Sequence, residues 1–156
     1  MKKIIIILVF LLINLKTSES LRTQGLFEDP PITYENLYEQ ILKYGIKFPD
    51  VVFAQAVIET GNFTSALFRN ANNLFGMKLP KKRETLAIGQ NRGFAVFESW
   101  THSVNDYLLW QEYVLRNKDI KTKNEYLAYL NRYYAENKTY VSSLNRVMLR
   151  HKELLD

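Results

Sequence analysis

Gln55 and Glu59 are the two polar residues in an otherwise apolar run, Val51-Val52-Phe53-Ala54-Gln55-Ala56-Val57-Ile58-Glu59. They sit four apart, one helical turn, and so share a face. The remaining residues leave no polar side, which predicts a helix enclosed by the core. A glutamate in such surroundings is rare unless it is paired or used. Gly61 supplies the stop, so Glu59 falls in the last turn, near the negative end of the helix dipole. Burial and the dipole both disfavour the carboxylate, and its pKa is expected to rise. An acid still protonated near neutral pH can protonate the leaving oxygen of a glycosidic bond, so general acid catalysis is the expected chemistry. Gln55 is placed either to orient Glu59 from one turn back or to hydrogen-bond backbone in the core.

Other chemistries are poorly supplied. The chain has no cysteine, which excludes a disulfide scaffold, a thiolate zinc site and a cysteine nucleophile. Its two histidines, His102 and His151, have no partner at metal-ligand spacing and read as surface or packing residues. No metal or organic cofactor is implied. Carboxylates, amides, hydroxyls and aromatics must carry the reaction. Aromatic residues make up 13% of the chain, and aromatic faces stack on sugar rings.

The elements that hold these groups can be read from capping and periodicity. Thr33 caps a helix over Tyr34 to Tyr44, with Leu37, Tyr38, Ile41 and Leu42 inward and Gly45 as terminator. Pro49 opens the helix that ends at Glu59. A third helix starts at Thr64 or Ser65 and runs to Asn70. Thr85 to Ile88 and Phe94 to Phe97 are β-prone runs around a glycine-bounded loop, Gly89 to Gly93, and predict a hairpin. Ser99 or Thr101 begins a helix to about Arg116. Thr122-Lys123-Asn124-Glu125 is a capping box. Thr139 opens a last helix with Val141, Leu144, Val147, Met148 and Leu155 as its apolar stripe. The expected fold class is α+β, mainly α, with one inserted β-hairpin.

Ala54-Gln55-Ala56, Glu59-Thr60-Gly61, Thr64-Ser65 and Asn72-Asn73-Leu74-Phe75-Gly76-Met77-Lys78 together resemble the signature of the bacterial glucosaminidase family of peptidoglycan hydrolases. Phe94-Ala95-Val96-Phe97, Ser99-Trp100, Ser103-Val104 and Asp106-Tyr107 are similar to that family's next block, and Tyr134-Ala135 with Tyr140 to its closing tyrosine motif. The resemblance runs from about Tyr34 to Leu149. It implies a lysozyme-like fold and an endo-β-N-acetylglucosaminidase that cuts β-1,4 bonds of the glycan, with Glu59 as acid and Tyr134 close to it. The family often carries a second Glu in the hairpin region, for which Glu84 is the nearest candidate here and Glu98 and Asp106 are further ones. Without a second carboxylate, the substrate's own N-acetyl group can attack the anomeric carbon. Asn73, Phe97, Trp100 and Tyr140, with Gln55, are the expected substrate-binding residues. A lytic transglycosylase, an amidase (a label some members bear) and a non-catalytic glycan-binding module remain as alternatives.

Met1-Lys2-Lys3, the apolar run Ile4 to Ile13 and the small residues Ser18 and Ser20 form the pattern of an export signal over residues 1–20. Residues 21–32 read as an extended arm and 33–156 as the domain. The expected location is the periplasm or envelope of a bacterium. The net charge of +5 falls by two when Lys2, Lys3, Lys16 and Glu19 are removed. That mild basicity suits an anionic wall polymer, and no dense Lys/Arg stripe points to nucleic acid. The expected partner is the peptidoglycan glycan, met by a monomer. Short asparagine sequons occur at Asn62 and Asn137.

Overall fold

The computed structural model describes residues 29–134 and 139–156. The export signal, most of the arm, Ala135 and the sequon at Asn137 lie outside the described residues. From Pro31 to Asp156 the chain forms one compact unit. Its helices are α1 (Tyr34–Lys43), α2 (Pro49–Glu59), α3 (Ala66–Ala71), α4 (Trp100–Leu115), α5 (Lys123–Tyr133), α6 (Tyr140–Arg150) and α7 (Lys152–Leu155). A hairpin of β1 (Gly89–Asn91) and β2 (Phe94–Val96) separates α3 from α4. This is the mainly helical, lysozyme-like architecture with an inserted hairpin. Among the described residues no helix is long and apolar enough to cross a membrane.

α2 is the axle of the domain. Val51 through Val57 are all buried, and the helix packs against α1 and α6. Each fully buried Val or Phe contributes about 1.5–3 kcal/mol of transfer free energy, which more than offsets the modest helix propensity of the valines. α1 offers Leu37 and Ile41, and α6 offers Leu144 and Val147. Thr33 caps α1 through its hydroxyl, accepting from Asn36 N–H at 3.1 Å. Ser65 caps α3 and Ser99 caps α4 in the same way. Thr122 and Glu125 complete the expected capping box of α5. Lys123, beside that cap, pairs with Asp50 in the first turn of α2.

The second strand falls within the predicted run, whereas the first begins at Gly89, after the β-prone run Thr85 to Ile88. Gly89 pairs with Val96, Gln90 with Ala95 and Asn91 with Phe94, leaving a two-residue turn, Arg92-Gly93. Both turn residues have positive φ, 51° and 85°, as a type I′ hairpin turn requires. Residues 77–79 run along the other edge of β2, with Ala95 N–H donating to Met77 C=O at 2.8 Å. Thr85 to Ala87 are not a strand: Asp106 captures Thr85 and Leu86, and Ala87 N–H donates to the Thr85 hydroxyl oxygen at 3.1 Å. The Thr85 hydroxyl and Leu86 N–H both donate to Asp106 Oδ1, at 2.6 and 2.9 Å. At the other end of the chain, His151 interrupts the last helix between α6 and α7 and packs against the rings of Tyr34 and Phe53.

Candidate active site

Glu59 is the last residue of α2. Thr60 ends the helix, its hydroxyl donating to Ala56 C=O at 2.7 Å and accepting from Phe63 N–H at 3.0 Å. The next three residues, Gly61, Asn62 and Phe63, all take left-handed φ values, 56°, 57° and 64°. Two of the three are not glycine, so this turn holds backbone strain that the Thr60 bonds must offset. It turns the chain sharply away and leaves Glu59 half-buried rather than sealed.

Two tyrosines meet Glu59 from the far end of the sequence. The Tyr140 hydroxyl, at the start of α6, donates to Glu59 Oε1 at 3.2 Å. Tyr134, the residue that ends α5, donates its hydroxyl to Phe75 C=O at 2.5 Å, and its ring lies 5.9 Å from that of Tyr140. Burial raises both phenol pKas, and the field of Glu59 raises them further. Both are therefore neutral donors at any ordinary pH. Trp110 of α4 lies edge-on to Tyr134 at 5.7 Å.

The third wall is the loop after α3. Asn73 is buried, donates to Met77 C=O and Ala95 C=O at 2.8 Å each, and accepts from Met77 N–H at 3.0 Å. That bracing curls residues 74–76 toward Glu59. Gly76 sits at φ 63°, where a Cβ would lie 3.6 Å from Glu59 Oε2. Conformation, more than space, calls for glycine there.

Several expectations need correcting. Gln55 is fully buried, and its amide bonds two tyrosines, Tyr107 and Tyr140. Asn73 is buried and spends its amide on the Met77 and Ala95 backbone. Phe97 and Trp100 are core residues, 2% and 6% exposed, and offer no stacking face. Asp106 is fully buried, in a two-point ion pair with Arg83 at 2.7 and 3.1 Å, and is a strut for the loop. Glu84 and Glu98 are exposed on the segments flanking the hairpin, where Glu84 C=O accepts from Arg83 Nη1 at 2.7 Å. A cavity of about 470 Å³ opens between α3 and the hairpin, lined by Leu67, Asn70, Asn91, Arg92 and Phe94 among others. Glu59 is not part of its lining.

The sequence reading gave no site role to Tyr107, Gln111 or Tyr126. Tyr107 donates to Gln55 at 2.5 Å, its oxygen lies 2.6 Å from that of Tyr126, and Gln111 donates to Tyr126 at 3.1 Å. A signal was present, since Tyr107 and Gln111 are four apart on one face of α4, as Gln55 and Glu59 are on α2.

A half-buried glutamate at the end of a buried helix, faced by neutral tyrosines in a lysozyme-like fold, is an arrangement compatible with a glycosidase domain. Comparison with known families narrows this. Residues 34–153 match the glucosaminidase family, described as mannosyl-glycoprotein endo-beta-N-acetylglucosaminidase, and the chain belongs to that enzymatic glycoside hydrolase family. It is 47% identical over 58 residues to Protein bax of Escherichia coli (strain K12), a match covering 37% of this chain and 21% of that protein. The chain thus spans about a fifth of the relative's length. Its fold is similar to the catalytic domain of the autolysin Auto from Listeria monocytogenes, with a TM-score of 0.56 and 24% identity over 88% of this chain and 96% of that one.

Proposed function

We propose that the protein is a peptidoglycan hydrolase, an endo-β-N-acetylglucosaminidase that cuts the glycan strand after GlcNAc. The observation that carries this reading is the setting of Glu59. It ends an apolar helix, remains open to solvent on one side, and receives a hydrogen bond from a neutral phenol. In the reaction Glu59 gives its proton to the leaving glycosidic oxygen as the C1–O bond breaks, and water finally adds to C1. Glu84 is proposed as the second carboxylate, activating that water from its exposed loop, since Asp106 is already committed to Arg83. The substrate's acetamide is the alternative attacking group, and it would need Glu59 alone. The substrate sets the place of action as the periplasm or cell envelope of a bacterium, in agreement with the N-terminal pattern.

Purified peptidoglycan digested with the protein, reduced with borohydride and analysed by mass spectrometry, tests this directly. Reducing GlcNAc ends, absent with Glu59→Gln, are expected. Anhydro-MurNAc ends would make the enzyme a lytic transglycosylase with the same acid. No new ends from a folded protein that still binds glycan would make it a binding module.

A further inference from the structure

The cavity of about 470 Å³ between α3 and the hairpin has two kinds of wall. Leu67, Ala71 and Phe94 give it an apolar side, and Asn70, Asn91 and Arg92 give it a polar one. Its volume is that of a small-ligand site, and such sites pair apolar surface with a few polar groups that set specificity.

Arg92 is the lining residue that local structure explains least. It takes the first position of the two-residue hairpin turn, at φ 51°. A type I′ turn favours Asn or Gly there, and a long side chain at positive φ is uncommon. Neighbours hold the turn in place. Gly93 N–H donates to Gln90 Oε1 at 2.6 Å, and Leu79 N–H donates to Gly93 C=O at 3.1 Å. Strain of this kind gathers at ligand sites. The Arg92 guanidinium is in none of the ion pairs formed among the described residues. It is a planar fork of donors that matches a carboxylate at two points. Two more exposed cations, Arg69 on α3 and Lys78 beside β2, lie near it in the chain's pairing, while the exposed Glu84 and Glu98 are outside the lining. The charge of this wall therefore favours an anion.

One stretch of chain joins the cavity to Glu59. α3 runs into the loop whose Gly76 backs onto Glu59 Oε2. Two residues further, Lys78 pairs with Phe94, which pairs across the hairpin with Asn91. Strand spacings put Asn91 within about 17 Å of Gly76. At that distance a branch on a sugar near the cut reaches the cavity.

We propose that this cavity binds the peptide branch of peptidoglycan, with Arg92 holding a carboxylate of the branch. The proposal rests on the peptidoglycan reading above and names the part of that substrate the site recognises. The branches offer alanine methyls to Leu67, Ala71 and Phe94, amides to Asn70 and Asn91, and free carboxylates to the guanidinium. A phosphate polymer of the wall offers the charge without the methyls.

The test is a binding titration on the full chain carrying Glu59→Gln. The ligands are soluble, uncross-linked peptidoglycan strands, and the same strands stripped of peptide by an amidase. Peptide-bearing strands are expected to bind about tenfold more tightly. Adding Arg92→Asn should erase that difference and leave the affinity for stripped strands within about twofold. Asn suits the turn better than Arg, so the thermal midpoint should not fall. Leu67→Trp, which fills the cavity, should erase the difference as well. Arg69→Gln removes an exposed cation outside the lining and should keep it. Equal or absent binding of the two strand types overturns the proposal, as does a preference that survives Arg92→Asn or is lost with Arg69→Gln. Displacement of the peptide-bearing strands by poly(glycerol phosphate) at equal potency would give the cavity to a phosphate polymer and overturn it too. The parent reading fails separately, if the wild-type chain makes no new ends on either strand type.

Discussion

Two carboxylates lie on opposite sides of the hairpin in the sequence, and the fold treats them in opposite ways. Asp106 in α4 is fully buried and accepts four hydrogen bonds, two from Arg83, one from the Thr85 hydroxyl and one from Leu86 N–H. Glu59 is half-buried and accepts from a neutral phenol that is itself held from behind. A fully buried carboxylate held by a guanidinium and two further donors serves as a strut. A carboxylate that stays half-buried and accepts from a neutral phenol can still be reached by a substrate, as the proposed general acid must be. The comparison teaches that burial alone does not single out the proposed acid, since the fully buried carboxylate is the one locked to a guanidinium.

The contrast is broken most severely by Glu59→Gln. Turnover on peptidoglycan should fall by about 10³-fold or more, measured as release of reducing ends, with the thermal midpoint nearly unchanged. Asp106→Ala should do the reverse. It leaves the Arg83 guanidinium, whose side chain is 7% exposed, without its anion. That costs about 3–5 kcal/mol in urea unfolding, and the loop over residues 83–87 should exchange its amide hydrogens faster. Glu84→Gln tests whether the exposed loop contributes chemistry at all. A loss of about 10²-fold in kcat is expected from removing a general base, and near-wild-type turnover would pass its role to the substrate's acetamide. Tyr140→Phe keeps the ring against Tyr134 but removes the donor to Glu59, and about a tenfold loss in kcat should follow. Smallest is Gly76→Ala, where the left-handed φ should cost about 1 kcal/mol of stability by chemical denaturation.

Much of the helical frame was legible from sequence because its signals are local. Pro49 and Glu59 bound α2 as expected, Thr33 caps α1, and Thr122 with Glu125 caps α5. The hairpin was legible as an element but not in register. Thr85 to Ile88 has the composition of a strand, yet a buried aspartate some twenty residues later captures its backbone and hydroxyl, and pairing starts at Gly89 instead. Among the site residues, Phe97, Trp100, Asn73 and Gln55 were picked by type, as groups able to stack on or bond to sugar. Residue type does not say whether a ring or amide faces a cleft or the core, and here all four face inward.

The sequence by itself determined that α2 is buried and that it ends in a glutamate. Apolar periodicity and chain-stopping residues act within a few positions of themselves, and no distant contact was needed to read them. Tertiary structure decided what surrounds that glutamate. Tyr140 and Glu59 are 81 positions apart, Tyr134 and Phe75 are 59 apart, and Gln111 and Lys47 are 64 apart. Hydrogen bonds are short-ranged and directional, so their partners exist only once helices from separate parts of the chain have packed around α2.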